Sequence, residues 1–194
     1  ALAEAEIEYH DETSPSIFVK FILKDDISAD FPALAGKTTY VVIWTTTPWT
    51  IPANLAVCLH PDFAYAAVKT PDQGTLILAR DLVETAMAEF GIETYEVIRE
   101  LSSKDMENKT CRHPFYDRDS LVILGNHVTL EAGTGCVHTA PGHGADDHIV
   151  ARNYGLDCYS PVEDNGVFSK AVEFFNGQFI FKANENIIAK LEEH

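Results

Sequence analysis

Short apolar runs, some alternating with polar residues and some continuous, dominate the first two thirds of this chain. Ser16 to Leu23 partly alternates, and Thr38 to Thr45 is a near-continuous apolar run that reads as a buried strand. The segments AYAAVKT and TLILAR flank Pro71-Asp72-Gln73-Gly74, a turn sequence that predicts a hairpin. YEVIREL, the run Leu121 to Leu130 with a break at Gly125-Asn126, Gly135 to Thr139, and Gln178 to Phe181 complete the expected strands. Helical spacing occurs in three places. From Asp81 to Phe90, Leu82, Val83, Ala86 and Phe90 share a face, and Gly91 ends it. A second helix starts near Asp146, carries Ile149, Val150 and Tyr154, and stops at Gly155. A third opens at Asn184 with Ile187, Ile188 and Leu191 turned inward. Many short strands with few helices predict a mainly β fold (α+β), with a barrel-like core and peripheral helices.

Composition narrows the class. The 194 residues, 46% of them hydrophobic, suffice for one large domain covering 1–194. No apolar run reaches the length of a membrane span, so no membrane partner is expected. The chain opens on Ala1 rather than Met, the expectation for a processed chain or an excised fragment. Thirty acidic residues against 14 basic ones give a net charge of -16. Such a surface repels phosphate backbones, so a nucleic-acid partner would take most of its grip elsewhere. Cys58, Cys111, Cys136 and Cys158 form no CxxC pair, which argues against a paired-cysteine zinc site and suits a reducing cytoplasm.

Two stretches carry the candidate chemistry. In VIWTTTPWTIPAN, Val42 to Asn54, the buried strand stops at three threonines and two prolines follow. Pro48 removes a backbone donor and biases Thr47 toward an extended conformation, so the ladder ends at a rim. Hydroxyls at a rim can hold water, an ester carbonyl or a ribose hydroxyl, although threonine is also simply a good strand former. In GTGCVHTAPGHGADDH, Gly133 to His148, glycines at 133, 135, 142 and 144 permit sharp turns and close approach to a ligand. Asp146 and Asp147 fall at a helix start, where Asp146 reads as an N-cap and Asp147 can face a pocket and bind an ammonium group.

Histidines 138, 143 and 148 with the two aspartates also admit a metal-dependent hydrolase, but no HExxH or HxH spacing supports it, and no metal site is expected. No GxSxG elbow occurs, and Cys136 has no activating base beside it in sequence, so covalent catalysis is not expected.

WTTTPWTIPAN and GTGCVHTAPGHGADD resemble the two signature stretches of the editing (CP1) domain inserted in isoleucyl-tRNA synthetase, a class I aminoacyl-tRNA synthetase. The related valyl and leucyl enzymes typically carry TTRP where this chain has Thr-Thr-Thr-Pro, and Thr47 followed by Pro48-Trp49-Thr50 points to the isoleucyl branch. Glu12 to Ile17, His113 to Phe115 and Phe181 to Asn184 look similar too, so the resemblance covers essentially the whole chain. The HIGH and KMSKS motifs are absent.

The resemblance implies a closed β-barrel-like core and hydrolysis of the ester of valine mischarged onto isoleucine tRNA, with isoleucine excluded by size. It implies no cofactor in this domain, because ATP, Mg and any zinc would belong to the rest of the enzyme. Its partners would be the 3′ end of tRNA(Ile) carrying valine and the remainder of the synthetase in cis, in a cytoplasmic, monomeric protein. Asp147 would occupy the amine-binding position. Thr47, Thr50 and His138 would surround the amino-acid side chain. Thr45, Thr46 and Asn54 would hold the ribose, the ester or the attacking water, with Trp49 beside them. A free-standing trans-editing deacylase is the other reading within this chemistry. His143 and Arg152 have no assigned role, although Arg152 is the nearest cation in sequence.

Overall fold

The computed structural model describes residues 14–193. Glu12 and Thr13 of the opening motif lie outside the described residues. The described strands are β1 Ile17–Leu23, β2 Thr39–Thr45, β3 Ala56–Leu59, β4 Ala64–Lys69, β5 Thr75–Ala79, β6 Glu96–Ser102, β7 Thr110–Arg112, β8 Asp119–Leu124 and β9 Cys136–Thr139. They form one mixed sheet in the order β6-β4-β5-β2-β1-β7-β8-β3-β9. The helices are α1 Val83–Glu89, α2 Ser103–Met106, α3 Ala145–Asn153 and α4 Ile180–Glu192.

The strand sequences explain their places. Every residue of β3 and β5 is buried, and β2 is buried at five of its positions, as continuous apolar runs require when both faces are covered. Both parallel pairs, β2 with β5 and β3 with β8, involve these strands. One face carries the main core, including Phe21, Ile43, Ile51, Val57, Leu59, Tyr65 and Ile77. The other packs α1 against β2, β4 and β5 through Val83, Ala86 and Met87. A third cluster seats Val150 of α3 over Ala56, Cys58 and Ile123. The hairpin expected at Pro71 to Gly74 forms, with Lys69 opposite Thr75 and Tyr65 opposite Ala79.

The mainly β class with peripheral helices holds, but the sheet does not close into a barrel. Its outer strands, β6 and β9, do not pair. The Ala79 N–H donates to the Thr134 carbonyl at 2.8 Å, and the Tyr65 hydroxyl donates to the Gly135 carbonyl at 2.8 Å. No ladder grows from these bonds, because Gly135 has φ +69° and leaves extended geometry there. The same glycine lets the chain pass β5 closely, since a Cβ at 135 would stand 2.4 Å from the Ala79 Cβ.

Other expectations change in detail. Gln178 to Phe181 is not a strand. Phe179 makes one isolated bridge with Val167, and α4 then begins at Ile180, four residues before Asn184. The β propensity of Phe-Ile-Phe is overridden by packing of the helix. Leu121 to Leu130 is strand only as far as Leu124. Ile149 is 63% exposed, so α3 is anchored by Val150 and Ala151 instead. The short strands β3 and β7, helix α2 and a 3-10 helix at Pro48–Ala53 carry no periodicity long enough to read.

Candidate active site

The first motif folds as the end of β2 followed by the 3-10 helix Pro48–Ala53. The Thr45 hydroxyl accepts the Thr47 N–H at 3.1 Å and lies 3.3 Å from the Thr47 hydroxyl, so the threonine run turns on its own side chains. Thr45 is buried, Thr46 half-buried and Thr47 exposed. Trp49 is half-buried. Its backbone N–H donates to Asn184 Oδ1 at 2.9 Å, and its ring meets that of His143 edge-on at 5.1 Å.

Strand β9 pairs with β3 so that His138 lies opposite Val57, and this brings the second motif against the first. The Thr50 hydroxyl bonds the Thr47 carbonyl at 2.9 Å and His138 Nε2 at 2.8 Å. A hydroxyl has one hydrogen, and the carbonyl can only accept it. The histidine must therefore donate from Nε2–H, and its Nδ1 carries the lone pair. Asn54 Nδ2 points at that Nδ1 from 3.5 Å and donates to the Ala56 carbonyl at 2.8 Å. Asn54 Oδ1 accepts the Ser120 hydroxyl. His138 is thus a neutral, single-tautomer ring whose two nitrogens are both engaged. Burial, with nearby His143 adding to it, pulls its pKa down to about 4. At neutral pH it is neither a general base nor a free metal ligand. Together with Thr50 it is a braced wall.

Two residues past His138, the Ala140 N–H donates to Asp147 Oδ2 at 2.8 Å. Burial pushes the Asp147 carboxyl above the ordinary range, against the Ala140 N–H and His127, which pull it down. A half-buried carboxylate held this way gains from an arriving cation. Asp146 is exposed and is not the N-cap, because Gly144 fills that position without a side-chain bond. Gly142 serves packing rather than ligand approach, since a Cβ there would stand 2.4 Å from the Tyr159 carbonyl. The structure thus links Thr45 and Thr47 with Thr50, His138 and Asn54, sets Trp49 against His143, and ties Asp147 to the second stretch through the Ala140 N–H. It leaves Thr46 without a hydrogen bond to them among the described residues, and Arg152 exposed in the last turn of α3. Sequence reading passed over Ser120, and it noted His113 only inside a motif. No local spacing marks residues that reach the site from β7 and β8.

Among the described residues, no group of three or more His, Cys, Asp or Glu side chains is placed to hold a metal ion. No described helix is long and apolar enough to cross a membrane. A cavity of about 470 Å³ between Phe18, Val42, Leu76, Phe90 and Leu191 shares no residue with this site.

The buried histidines make stability depend on pH. His113 and His138 are held at about 3 and about 4, against 6.5 for a free ring, in both cases chiefly by burial. The folded chain keeps them neutral while the unfolded chain takes up protons below 6.5, so their contribution is complete above 6.5 and is lost as pH falls toward about 4 for His138 and about 3 for His113. The urea midpoint is expected to fall steadily across that window, and less steeply in a His113→Asn variant. Equal slopes for the two proteins would refute this account.

No family model matches the chain. Isoleucine–tRNA ligase of Syntrophotalea carbinolica is 58% identical over 193 residues, 100% of this chain and 21% of that protein. The Geobacter sulfurreducens ligase is 55% identical over the same share of each. The chain therefore spans about a fifth of the length of these relatives. The crystal structure of GlLeuRS-CP1 superposes with a TM-score of 0.73 at 18% identity, over 92% of this chain and 96% of that one. The Plasmodium knowlesi cytosolic leucyl-tRNA synthetase editing domain gives 0.67 at 11% identity, over 93% and 94%. By sequence the chain matches a segment of the isoleucine–tRNA ligase family, and it has the fold of leucyl-tRNA synthetase editing domains.

Proposed function

We propose that this chain, as one editing domain of 194 residues, hydrolyses the ester of valine mischarged onto isoleucine tRNA and rejects isoleucine by size. The observation that carries the reading is the braced Thr50–His138 wall, with the half-buried Asp147 carboxylate tied to the chain two residues past His138 through the Ala140 N–H. An aminoacyl ester presents a free ammonium, a branched side chain and an activated carbonyl. Asp147 takes the ammonium. Thr47, Thr50 and His138 bound the side chain. Thr45 and Thr46 lie toward the ribose and the attacking water, with Trp49 at the rim, whereas Asn54 is fully buried with its amide engaged by the Ala56 carbonyl, His138 and Ser120, so it braces the wall instead of holding substrate.

Water attacks the carbonyl carbon, the bond to the ribose oxygen breaks, and that oxygen leaves with a proton as the free hydroxyl. The products are valine and uncharged tRNA. Positioning suffices for such an ester, and backbone N–H groups stabilise the oxyanion. No strong base is required, which agrees with the depressed pKa of His138. Such a second site is useful because one methylene changes binding by only ~1–3 kcal/mol, a figure established on isoleucyl synthetases themselves rather than drawn from this structure.

The net charge of -16 leaves the body of the tRNA to the rest of a larger synthetase in the cytoplasm, working as a monomer with this segment in cis. No cofactor enters the scheme. ATP and metal ions belong to the aminoacylation part of such an enzyme.

Deacylation of Val-tRNA(Ile) is expected to exceed that of Ile-tRNA(Ile) by at least about tenfold, as overpacking by one carbon against a rigid wall implies. The rate is expected to be unaffected by chelators. The test is the pair of initial rates with and without chelation. Equal rates on the two substrates, or activity that returns only with added zinc, would sink the proposal.

A further inference from the structure

Thr50 and His138 owe their positions to a part of the chain that, among the described residues, makes no hydrogen bond to either side chain. Thr50 sits on the 3-10 helix Pro48–Ala53, in which Pro48 and Pro52 contribute no N–H. At its two ends the Thr50 N–H donates to the Thr47 carbonyl and the Asn54 N–H to the Ile51 carbonyl, at 3.0 and 2.9 Å. Its outer carbonyls are held by the β7–β8 hairpin, whose loop runs from 113 to 118. His113, 2% exposed, donates from Nε2 to the Ile51 carbonyl at 2.9 Å. Its Nδ1 accepts the N–H groups of Phe115 and Tyr116 at 3.3 and 3.2 Å, which fixes that tautomer. Arg118 donates to the Pro52 carbonyl while its guanidinium lies over the rings of Tyr116 and Tyr159, at 5.0 and 5.5 Å. Ser120, fully buried, donates to Asn54 Oδ1. That bond orients the Asn54 amide so that its NH2 faces His138 Nδ1.

We propose that His113, Arg118 and Ser120 are positioning residues for the size wall. Through the Ile51 and Pro52 carbonyls and the Asn54 amide, the hairpin fixes where Thr50 stands and which tautomer His138 adopts. Three anchors from one hairpin converge on seven residues of backbone, Pro48 to Asn54. Two of the three side chains are buried ring or hydroxyl groups with every polar atom engaged on that segment or on the hairpin's own loop. Such an arrangement stiffens the 3-10 helix, and a wall discriminates one carbon only when it is rigid. The inference rests on the deacylation reading for its selectivity consequence, but its structural content is independent of it.

The test uses the full-length isoleucine–tRNA ligase carrying this segment, with Ser120→Ala, Ser120→Thr and His113→Phe. Two quantities are read: the ratio of Val-tRNA(Ile) to Ile-tRNA(Ile) deacylation rates, and the tautomer of His138 from its imidazole 15N shifts in the 194-residue chain. Ser120→Ala and His113→Phe are expected to lower the ratio by about tenfold, through a rise in Ile-tRNA hydrolysis, and to mix the His138 tautomers. Ser120→Thr, which keeps the hydroxyl, is expected to restore both. If the ratio and the 15N shifts stay at wild-type values while only thermal stability drops, the hairpin is a structural support and the proposal fails. If His113→Phe does not fold, Ser120→Ala decides the matter by the same two readings. If the wild type hydrolyses neither ester, the deacylation reading fails, and the tautomer measurement alone still confirms or overturns the positioning role.

Discussion

Replacing Asp147 by alanine is expected to remove nearly all hydrolysis of Val-tRNA(Ile) and to leave the chain folded. Asp147 lies half-buried on the first turn of α3, with Oδ2 bonded to the Ala140 N–H. Burial already disfavours its ionised form, so a substrate ammonium gains more here than it would from an exposed carboxylate. Losing a charge-assisted bond costs roughly 1.5–3 kcal/mol, about 10- to 150-fold in kcat/KM. Loss of aim at the ester carbonyl adds to that. Asp147→Asn separates the two duties, because an amide oxygen still accepts the Ala140 N–H but carries no charge. It should be as inactive as the alanine variant and more stable. Asp146→Ala is the control. That side chain is exposed and caps nothing, so only its place near the positive end of the helix matters, ~0.3–1 kcal/mol. Deacylation rates and urea midpoints of the three variants check this. An active Asp147→Ala beside a stable but inactive Asp146→Ala would reverse the assignment.

Opening the wall is expected to make the protein destroy a correctly charged substrate. A larger apolar side chain normally binds better in an apolar pocket, so rejection of isoleucine needs something the extra carbon strikes. Threonine is stiff at χ1, and His138 is locked by its two ring bonds, so neither yields to the extra carbon. His138→Ala should remove the wall outright and admit isoleucine, raising the ratio of Ile-tRNA to Val-tRNA deacylation by at least about tenfold. Thr50→Ala does two things at once. It deletes a methyl, and it leaves the His138 Nε2–H unpaired in a buried site, a cost of about 1–3 kcal/mol. Thr50→Ser keeps the brace and loses only the methyl, so it isolates the contribution of size. Thr50→Val keeps the shape and loses the brace. The reading is the ratio of initial rates for each variant and for the His138–Thr50 double. If that ratio stays at the wild-type value in all of them, with both rates measurable, these residues only line the site and the discrimination lies elsewhere.

Much of this arrangement was legible from residue order, and the illegible parts have physical reasons. The hairpin at Pro71 to Gly74 was legible because turn chemistry and two apolar runs agree. The threonine stretch was legible as a strand end because Pro48 ends regular structure there, and the histidine-bearing stretch as a turning segment because of its glycines. The roles of Asp146 and Asp147 needed coordinates, since adjacent residues on a helix point about 100° apart and the sequence does not say which faces inward. The sheet's failure to close turns on Gly135, whose positive φ could not be inferred from its identity alone. The start of α4 was misplaced because Phe179-Ile180-Phe181 has strand-like composition and its helical state comes from tertiary packing. Ser120 was illegible for a different reason. Its importance lies entirely in a contact across 66 residues of chain.

That separation bears on how the protein is made. Thr50 and His138 are 88 residues apart, and β1, near the start of the described chain, pairs with β7 as well as with β2. A sheet wired through such distant partners pays its loop-closure entropy before its contacts reward it, so it folds slowly for its size. During vectorial synthesis the first wall residue leaves the ribosome well before its brace, and β9 is the last strand to emerge. Until then the threonine rim has no histidine against it. A ribosome-bound chain truncated before Cys136 should therefore hydrolyse neither ester, and selectivity should appear together with activity, in one step, once β9 has docked beside β3.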